Sequence, residues 1–279
     1  MYEYKPPPPN EHLGRIIDAM IGASATAAPA DTAVTPWHFE HAADLAIARV
    51  AFTAPAEGEA RVLVFDSIHW RAHTAAAHAL LDSRERMRAA RFRHGHDYVT
   101  YVLAHAMWRL LLSLCLDVDP ADVPLTNTPI GQPLLPGTDF ATSLSHSGRW
   151  VAVAIANARS IGVDIERTFS TLTLDDLLTS VCTPTEAREL RELPRRERER
   201  ALLQLWTRKE AALKAFGVGL TLAPSTFPIT TNTPITPPLS AAAQPPCRVR
   251  DLELPPGLVG AVAMPIAVQR LEVHVLEEM

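Results

Sequence analysis

From residue 61 onward the apolar and polar positions fall into a regular order. The run "RVLVFDSIHW" is continuous and β-branched, the pattern of a buried strand. "DSRERMRAARF" follows, with Asp82 or Ser83 as N-cap and arginines along one short helix. "HDYVTYVLAHAMWRLLLSLCL" is apolar nearly all round, as a central helix is. A polar turn, "NTPIGQPLLP", then leads into "DFATSLSHSGRWVAVAIA", which has strand character. The second half repeats this order. "SIGVDIER" is a strand, "TPTEARELREL" a capped short helix, and "RERERALLQLWTRKEAALKAFG" a long helix ending at Gly217. Asp66 in "VFD" and Asp164 in "GVD" fall at comparable points of the two halves.

This order predicts an α+β chain of two similar halves, residues 59–157 and 158–279, in a pseudo-twofold arrangement with the active site in the cleft between them. Residues 1–58 are Ala-, Pro- and Thr-rich and read as an extension with little structure of its own, apart from a short helical candidate, "EHLGRIIDAMIG". "PITPPLSAAAQPP", residues 234–246, reads as a semi-rigid extended connector.

Composition adds exclusions. The chain is 47% hydrophobic and 20% charged, ordinary for a globular protein. No apolar run approaches the ~18–20 residues of a membrane helix, so no membrane partner is expected. A net charge of −5 argues against a general nucleic-acid binder. The cysteines (Cys115, Cys182 and Cys247) are odd in number and widely spaced, which suits neither a disulfide framework nor zinc, and a cytoplasmic location is expected.

Two stretches carry the candidate chemistry. In "IGVDIER" Asp164 and Glu166 are two apart, so on a strand both face the same way. In "WTRKEAALKAFGVGL" Glu210 and Lys214 are four apart on a helix, as are Trp206 and Glu210, and Lys209 lies one step round. "KEAALK" alone is the pattern of a routine surface ion pair. Joined to a strand bearing two acids, it furnishes what a magnesium–phosphate site needs: hard oxygen ligands and lysine point charges.

The two blocks together resemble the paired signature of the 4′-phosphopantetheinyl transferase superfamily, in its long, pseudodimeric branch. "SLSHSGRWVAVAIA" resembles the family's preceding strand, and the likeness spans roughly residues 60–276. It implies transfer of the phosphopantetheine arm of coenzyme A to a serine of an apo acyl or peptidyl carrier protein, with release of 3′,5′-ADP. It further implies that Asp164, Glu166 and Glu210 hold Mg²⁺, and that Lys209 and Lys214 bind phosphate. Ser145, His146, Arg88 and Arg91 would lie on the 3′-phosphate side of coenzyme A. Glu210 is the candidate base for the serine proton, directly or through a metal-bound water, and Lys214 the cation that meets charge developing on the leaving group. A monomer is expected, since one chain supplies both halves.

The chain departs from the family's pattern at three places. Gln132 stands where the nucleotide loop usually has lysine, Thr100 and Tyr101 stand near a usual arginine, and Glu85 stands where lysine is common. These departures bear on coenzyme A affinity and on tolerance of 3′-dephospho-CoA, and they leave the acids untouched. Two other activities use the same residues: a magnesium-dependent nucleotide or pyrophosphate hydrolase, and a binding module that holds coenzyme A or carriers without turnover.

Overall fold

The structure, a computed structural model, describes residues 37–168 and 174–276. The helical candidate at residues 11–22 lies outside them. The first described element is a helix, α1 (Trp37–Arg49). Its Phe39, Ala43, Ala46 and Ile47 are buried at helical spacing, and Phe39 meets Trp70 edge-on at 5.8 Å. The unstructured extension expected as far as residue 58 therefore gives way at residue 37. Alanines make up much of this helix's buried face, and in a Pro- and Thr-rich context they look like spacer.

The first half continues with β1 (Glu59–Asp66), α2 (Thr74–Ala79), α3 (Ser83–Ala89), α4 (Gly95–Leu116), the short β2 (Thr126–Asn127) and β3 (Pro133–Leu134), then β4 (Phe140–Ser147) and β5 (Trp150–Asn157). The strand expected over residues 139–156 is thus a hairpin, with Gly148 in its turn at φ 57°. The second half holds β6 (Gly162–Arg167), α5 (Leu174–Val181), α6 (Pro184–Glu192), α7 (Arg195–Phe216), β7 (Cys247–Asp251), β8 (Leu258–Pro265) and β9 (Arg270–Leu276). Both short helices start with capping boxes, Asp82 with Glu85 and Thr183 with Glu186. Helix α7 stops at Gly217, whose φ of 66° suits a residue without Cβ. Residues 234–246 contain a 3₁₀ turn at Leu239–Ala241, and Ile235 bridges to Cys247, so the connector is anchored.

The strands form a sheet ordered β4-β5-β1-β9, another ordered β6-β8-β7, and the β2–β3 pair. Strand β9 returns from the C-terminal end to pair parallel with β1, Val62 opposite Val273. A boundary at residue 157 therefore does not divide the sheets.

Alternation along the strands builds the layers. Leu63 and Phe65 of β1, with Val151, Val153 and Ile155 of β5, pack on α4. Val62 and Val64, with Ala152 and Ala154, face the other way and meet Val163, Ile165, Val262 and Met264 of the second sheet. Ala261 and Ala263 on the far side of β8 pack on α7. The order is helix, sheet, sheet, helix. Because both faces of β1 are covered, its sequence is continuously apolar rather than alternating. By length and hydropathy α4 could cross a membrane, contrary to the expectation from the sequence, but its apolar stretch is 72% buried within the protein.

Candidate functional site

The site is set by how closely α7 approaches β6. A Cβ added at Gly162 would lie 2.0 Å from the carbonyl oxygen of Ala211 and 2.5 Å from the amide of Ala215, so only glycine lets these backbones touch. Gly162, Asp164 and Glu166 share the strand face that meets α7, while Val163 and Ile165 point into the core between the sheets. Glu210 and Lys214 flank the contact point on the helix. The two carboxylates of "IGVDIER" therefore look onto a helix that carries a cation and a third acid.

Asp164, Glu166, Trp206, Glu210 and Lys214 line one cavity of about 250 Å³ with Ser145, His146, Ser147 and, from α4, Asp97 and Thr100. Lys214 Nζ donates to Asp164 Oδ1 at 2.8 Å and to Val163 O at 2.9 Å. Ser145 Oγ donates to the same Asp164 oxygen at 2.9 Å, and Ser147 Oγ donates to Glu166 Oε2 at 2.6 Å. Asp164 Oδ2 and Glu210 Oε1 are buried without a hydrogen-bond donor. Burial, then the charge of Asp164, pushes the carboxyl pKa values of Glu166 and Glu210 upward, with Lys214 opposing in both.

Two unpartnered buried carboxylate oxygens beside a cluster of acids match the hard-oxygen donors that magnesium takes. Among the described residues, however, no three His, Cys, Asp or Glu side chains close around one point as a metal cage. The strict expectation of Asp164, Glu166 and Glu210 converging on one ion is thus met only as far as a shared cavity wall. Magnesium is commonly held by one or two carboxylates, with waters and substrate phosphates completing the shell. The residues fit such an open site.

A second cavity, of about 580 Å³, shares Phe92, Leu144, His146 and Lys214 with the first. Its wall carries Arg84, Arg88, Tyr101, His105, Trp108 and the loop from Asn127 to Pro133. Tyr101, His105 and Trp108 recur at helical spacing along α4, and the Tyr101 and His105 rings lie 4.1 Å apart at a tilt of 31°. That aromatic face was readable from the spacing, but nothing in the sequence aimed it at a cavity. His146 faces both cavities with its side chain exposed to them, and the protein mass around it, then Lys214, lowers its pKa below the histidine range.

Two expected site residues, Lys209 and Arg91, are placed elsewhere, and a third, Ser145, lines the cavity with its hydroxyl already engaged. Lys209 is fully buried on the far side of α7, donating to Val181 O at 2.8 Å, Glu186 Oε2 at 2.6 Å and Pro224 O at 2.9 Å. All its protons are used inside the protein, so it is a structural ion pair rather than a phosphate ligand. Ser145 is committed to Asp164 and to the amide of Ile165, and is not free for a phosphate. Arg91 is exposed beyond the end of α3 and lines neither cavity, whereas Arg88 lines the larger one.

The departures from the family's pattern also acquire partners. Glu85 accepts from Arg109 Nε at 2.7 Å and pairs with His105 Nδ1 at 3.0 Å. Burial works to raise its pKa, but His105, the amide of Asp82 and Arg109 outweigh it and hold the carboxyl at about 2. Gln132 lies against Gly217, where an added Cβ would meet its Oε1 at 2.0 Å, and its amide is 3.4 Å from Lys214 O. The loop of the first half therefore rests on the C-terminal end of α7.

Comparison with known proteins covers both halves. Residues 160–262 match the family model described as the 4′-phosphopantetheinyl transferase superfamily, and residues 69–158 match one described as 4′-phosphopantetheinyl transferase, N-terminal. The chain is 32% identical to a phosphopantetheinyl transferase of Thraustochytrium over 54% of its own length and 58% of that protein's. It is 34% identical to the 4′-phosphopantetheinyl transferase HetI of Nostoc over 51% of its length and 62% of the relative's. With Sfp of Bacillus subtilis it shares 28% identity over 66% of its length and 82% of the relative's. For the first two relatives the match thus spans about six-tenths of their length.

Proposed function

We propose that this chain, which belongs to the 4′-phosphopantetheinyl transferase superfamily, moves the phosphopantetheine arm of coenzyme A onto a serine of an apo acyl or peptidyl carrier protein and releases 3′,5′-ADP. The observation that carries this reading is the cavity wall of Asp164, Glu166, Glu210 and Lys214, with Asp164 Oδ2 and Glu210 Oε1 unpartnered, opening beside a larger cavity. The active site lies where the two halves meet, and the repeated order of elements supports a pseudo-twofold arrangement.

In the reaction the carrier serine oxygen attacks the pyrophosphate phosphorus that bears the pantetheine arm, and the bond from that phosphorus to the oxygen of 3′,5′-ADP breaks. Mg²⁺, when bound at Asp164, Glu166 and Glu210, would neutralise pyrophosphate charge and polarise the phosphoryl group. Glu210 is the residue placed to take the serine proton, directly or through a metal-bound water. Lys214 sits between the two cavities and meets the charge that grows on the departing 3′,5′-ADP. Arg84 and Arg88 on the larger cavity attract the nucleotide phosphates. Tyr101 and His105 offer an aromatic face to its base. The protein's part is placement and charge, since no covalent bond to it is made.

The test is to incubate the chain with coenzyme A, Mg²⁺ and several apo carriers, followed by intact mass. A gain of one phosphopantetheine on carrier is the expected result. Release of 3′,5′-ADP without carrier would replace transfer by hydrolysis, and binding without turnover would reduce the chain to a holder of coenzyme A.

A further inference from the structure

The two sheets meet along β4 and β6 without a backbone ladder. Strand β6 is the edge of its sheet, paired with β8 on one side, so the amides of Val163, Ile165 and Arg167 point away from their own sheet. Serines at alternate positions of β4 take them up. Ser143 Oγ accepts from Val163 N at 3.1 Å, Ser145 Oγ from Ile165 N at 3.3 Å, and Ser147 Oγ from Arg167 N at 3.1 Å. A hydroxyl that accepts an amide still has one proton to donate. Ser145 gives its proton to Asp164 Oδ1 and Ser147 gives its own to Glu166 Oε2. Ser143 has no carboxylate among its partners.

We propose that Ser147 is a positioning residue of the metal site: the amide of Arg167 orients its hydroxyl, and the hydroxyl in turn fixes one oxygen of Glu166. This rests on reading Asp164, Glu166 and Glu210 as the magnesium-facing acids. Asp164 is held twice at one oxygen, by Ser145 and by Lys214, so loss of Ser145 leaves a tether. The 2.6 Å bond from Ser147 is the shortest contact to either strand acid, with the indole of Trp206 as a further donor to Glu166. Hydroxyls that orient metal-facing carboxylates change affinity without touching the ion.

Ser143 provides the internal control, because Ser143→Ala removes the same kind of seam bond and no carboxylate contact. The measurement is Mn²⁺ titration of the full chain without coenzyme A, with free ion followed by electron paramagnetic resonance and melting temperature recorded alongside. Ser147→Ala is expected to weaken Mn²⁺ about 10-fold, the lower end for loss of an outer-shell partner. Ser147→Thr, which keeps the hydroxyl, should restore affinity, and Ser143→Ala should leave it unchanged. Ser147→Cys, a poorer donor of similar size, should fall in between and serves if the alanine variant does not fold. Wild-type affinity in Ser147→Ala while Asp164→Ala loses Mn²⁺ would overturn the positioning role and leave the metal reading standing. Equal weakening in Ser143→Ala would overturn it as a general loosening of the seam. Wild-type affinity in Asp164→Ala would remove the metal reading itself, and the role of Ser147 with it.

Discussion

Asp66 and Asp164 stand at comparable points of two similarly ordered halves, and their surroundings differ. Asp66 ends β1, where its Oδ1 caps the amide of Ile68 and its Oδ2 lies 2.7 Å from Arg149 Nε, close in distance though off the hydrogen-bond axis. Asp164 sits among acids, with one oxygen held by Lys214 and Ser145 and the other left alone. The glutamates of the two capping boxes show the opposite relation, with one device used twice. Glu85 is locked to the buried Arg109 of α4, and Glu186 to the buried Lys209 of α7. The repeated architecture keeps its helix-locking pair in both halves. Each strand aspartate has one oxygen without a hydrogen bond, but that of Asp66 has the Arg149 guanidinium beside it, whereas that of Asp164 faces the acid-lined cavity. An aspartate matched by charge and caps is structural; one left unmatched in a cavity is free to hold a ligand.

The largest break in this comparison comes from Asp164→Ala against Asp66→Ala. Asp164→Ala should lower carrier loading by about 10³-fold or more, the scale of losing a central charge contact in phosphoryl transfer, with the fold retained. Asp66→Ala should cost about 1–3 kcal/mol of stability through the lost cap and ion pair, with loading per folded molecule near wild type. Carrier mass and urea denaturation check both. The assignment fails if Asp66→Ala silences the folded enzyme while Asp164→Ala does not.

Much of this was legible in the chain. Alternation put Asp164 and Glu166 on one face, helical spacing put Trp206, Glu210 and Lys214 on another, and Thr183, Asp82 and Gly217 marked helix ends because caps are local chemistry. What the chain did not reveal depends on contacts between distant segments. Lys209 is one step from Glu210, and the spacing alone cannot say that its side meets Glu186 and the carbonyl of Pro224. Ser147 looks like any strand serine until β6 is laid beside β4. Helix α1 hid in its alanines, which bury well but do not stand out from a Pro- and Thr-rich background.

Lys209 sharpens the comparison of the paired devices. Lys209→Met leaves Glu186 and two carbonyls without their donor, and should cost about 3–5 kcal/mol, the scale for breaking a buried pair. Adding Glu186→Gln, which retains capping-box geometry, should recover part of that loss. The same variant tests the role that the family likeness implied. If Lys209→Met keeps its melting temperature but loses coenzyme A affinity, the lysine serves phosphate after all.

The smallest effect is a difference in sign between Glu85 and Glu166. The partners of Glu85 hold its folded pKa at about 2, below the ordinary 4.5. Its contribution to stability is therefore fully present above 4.5 and is lost as pH falls toward 2. Glu166 has a raised folded pKa, from burial first and Asp164 second. Between the ordinary 4.5 and that raised value the unfolded chain has released its proton while the folded chain keeps it, so stability declines as pH rises through this window. Without divalent ions, Glu166→Gln should therefore melt a few degrees above wild type at pH 8, a shift on the order of 1 kcal/mol for a chain of this size, and match it near pH 4. Added Mg²⁺ should shrink or reverse the gap, because the ion favours the charged acids of the native cavity. Melting curves at several pH values, with chelator and then with Mg²⁺, decide the matter: parallel profiles for wild type and Glu166→Gln would mean that the acids of β6 are as well compensated as Asp66, and the contrast between the halves would be lost.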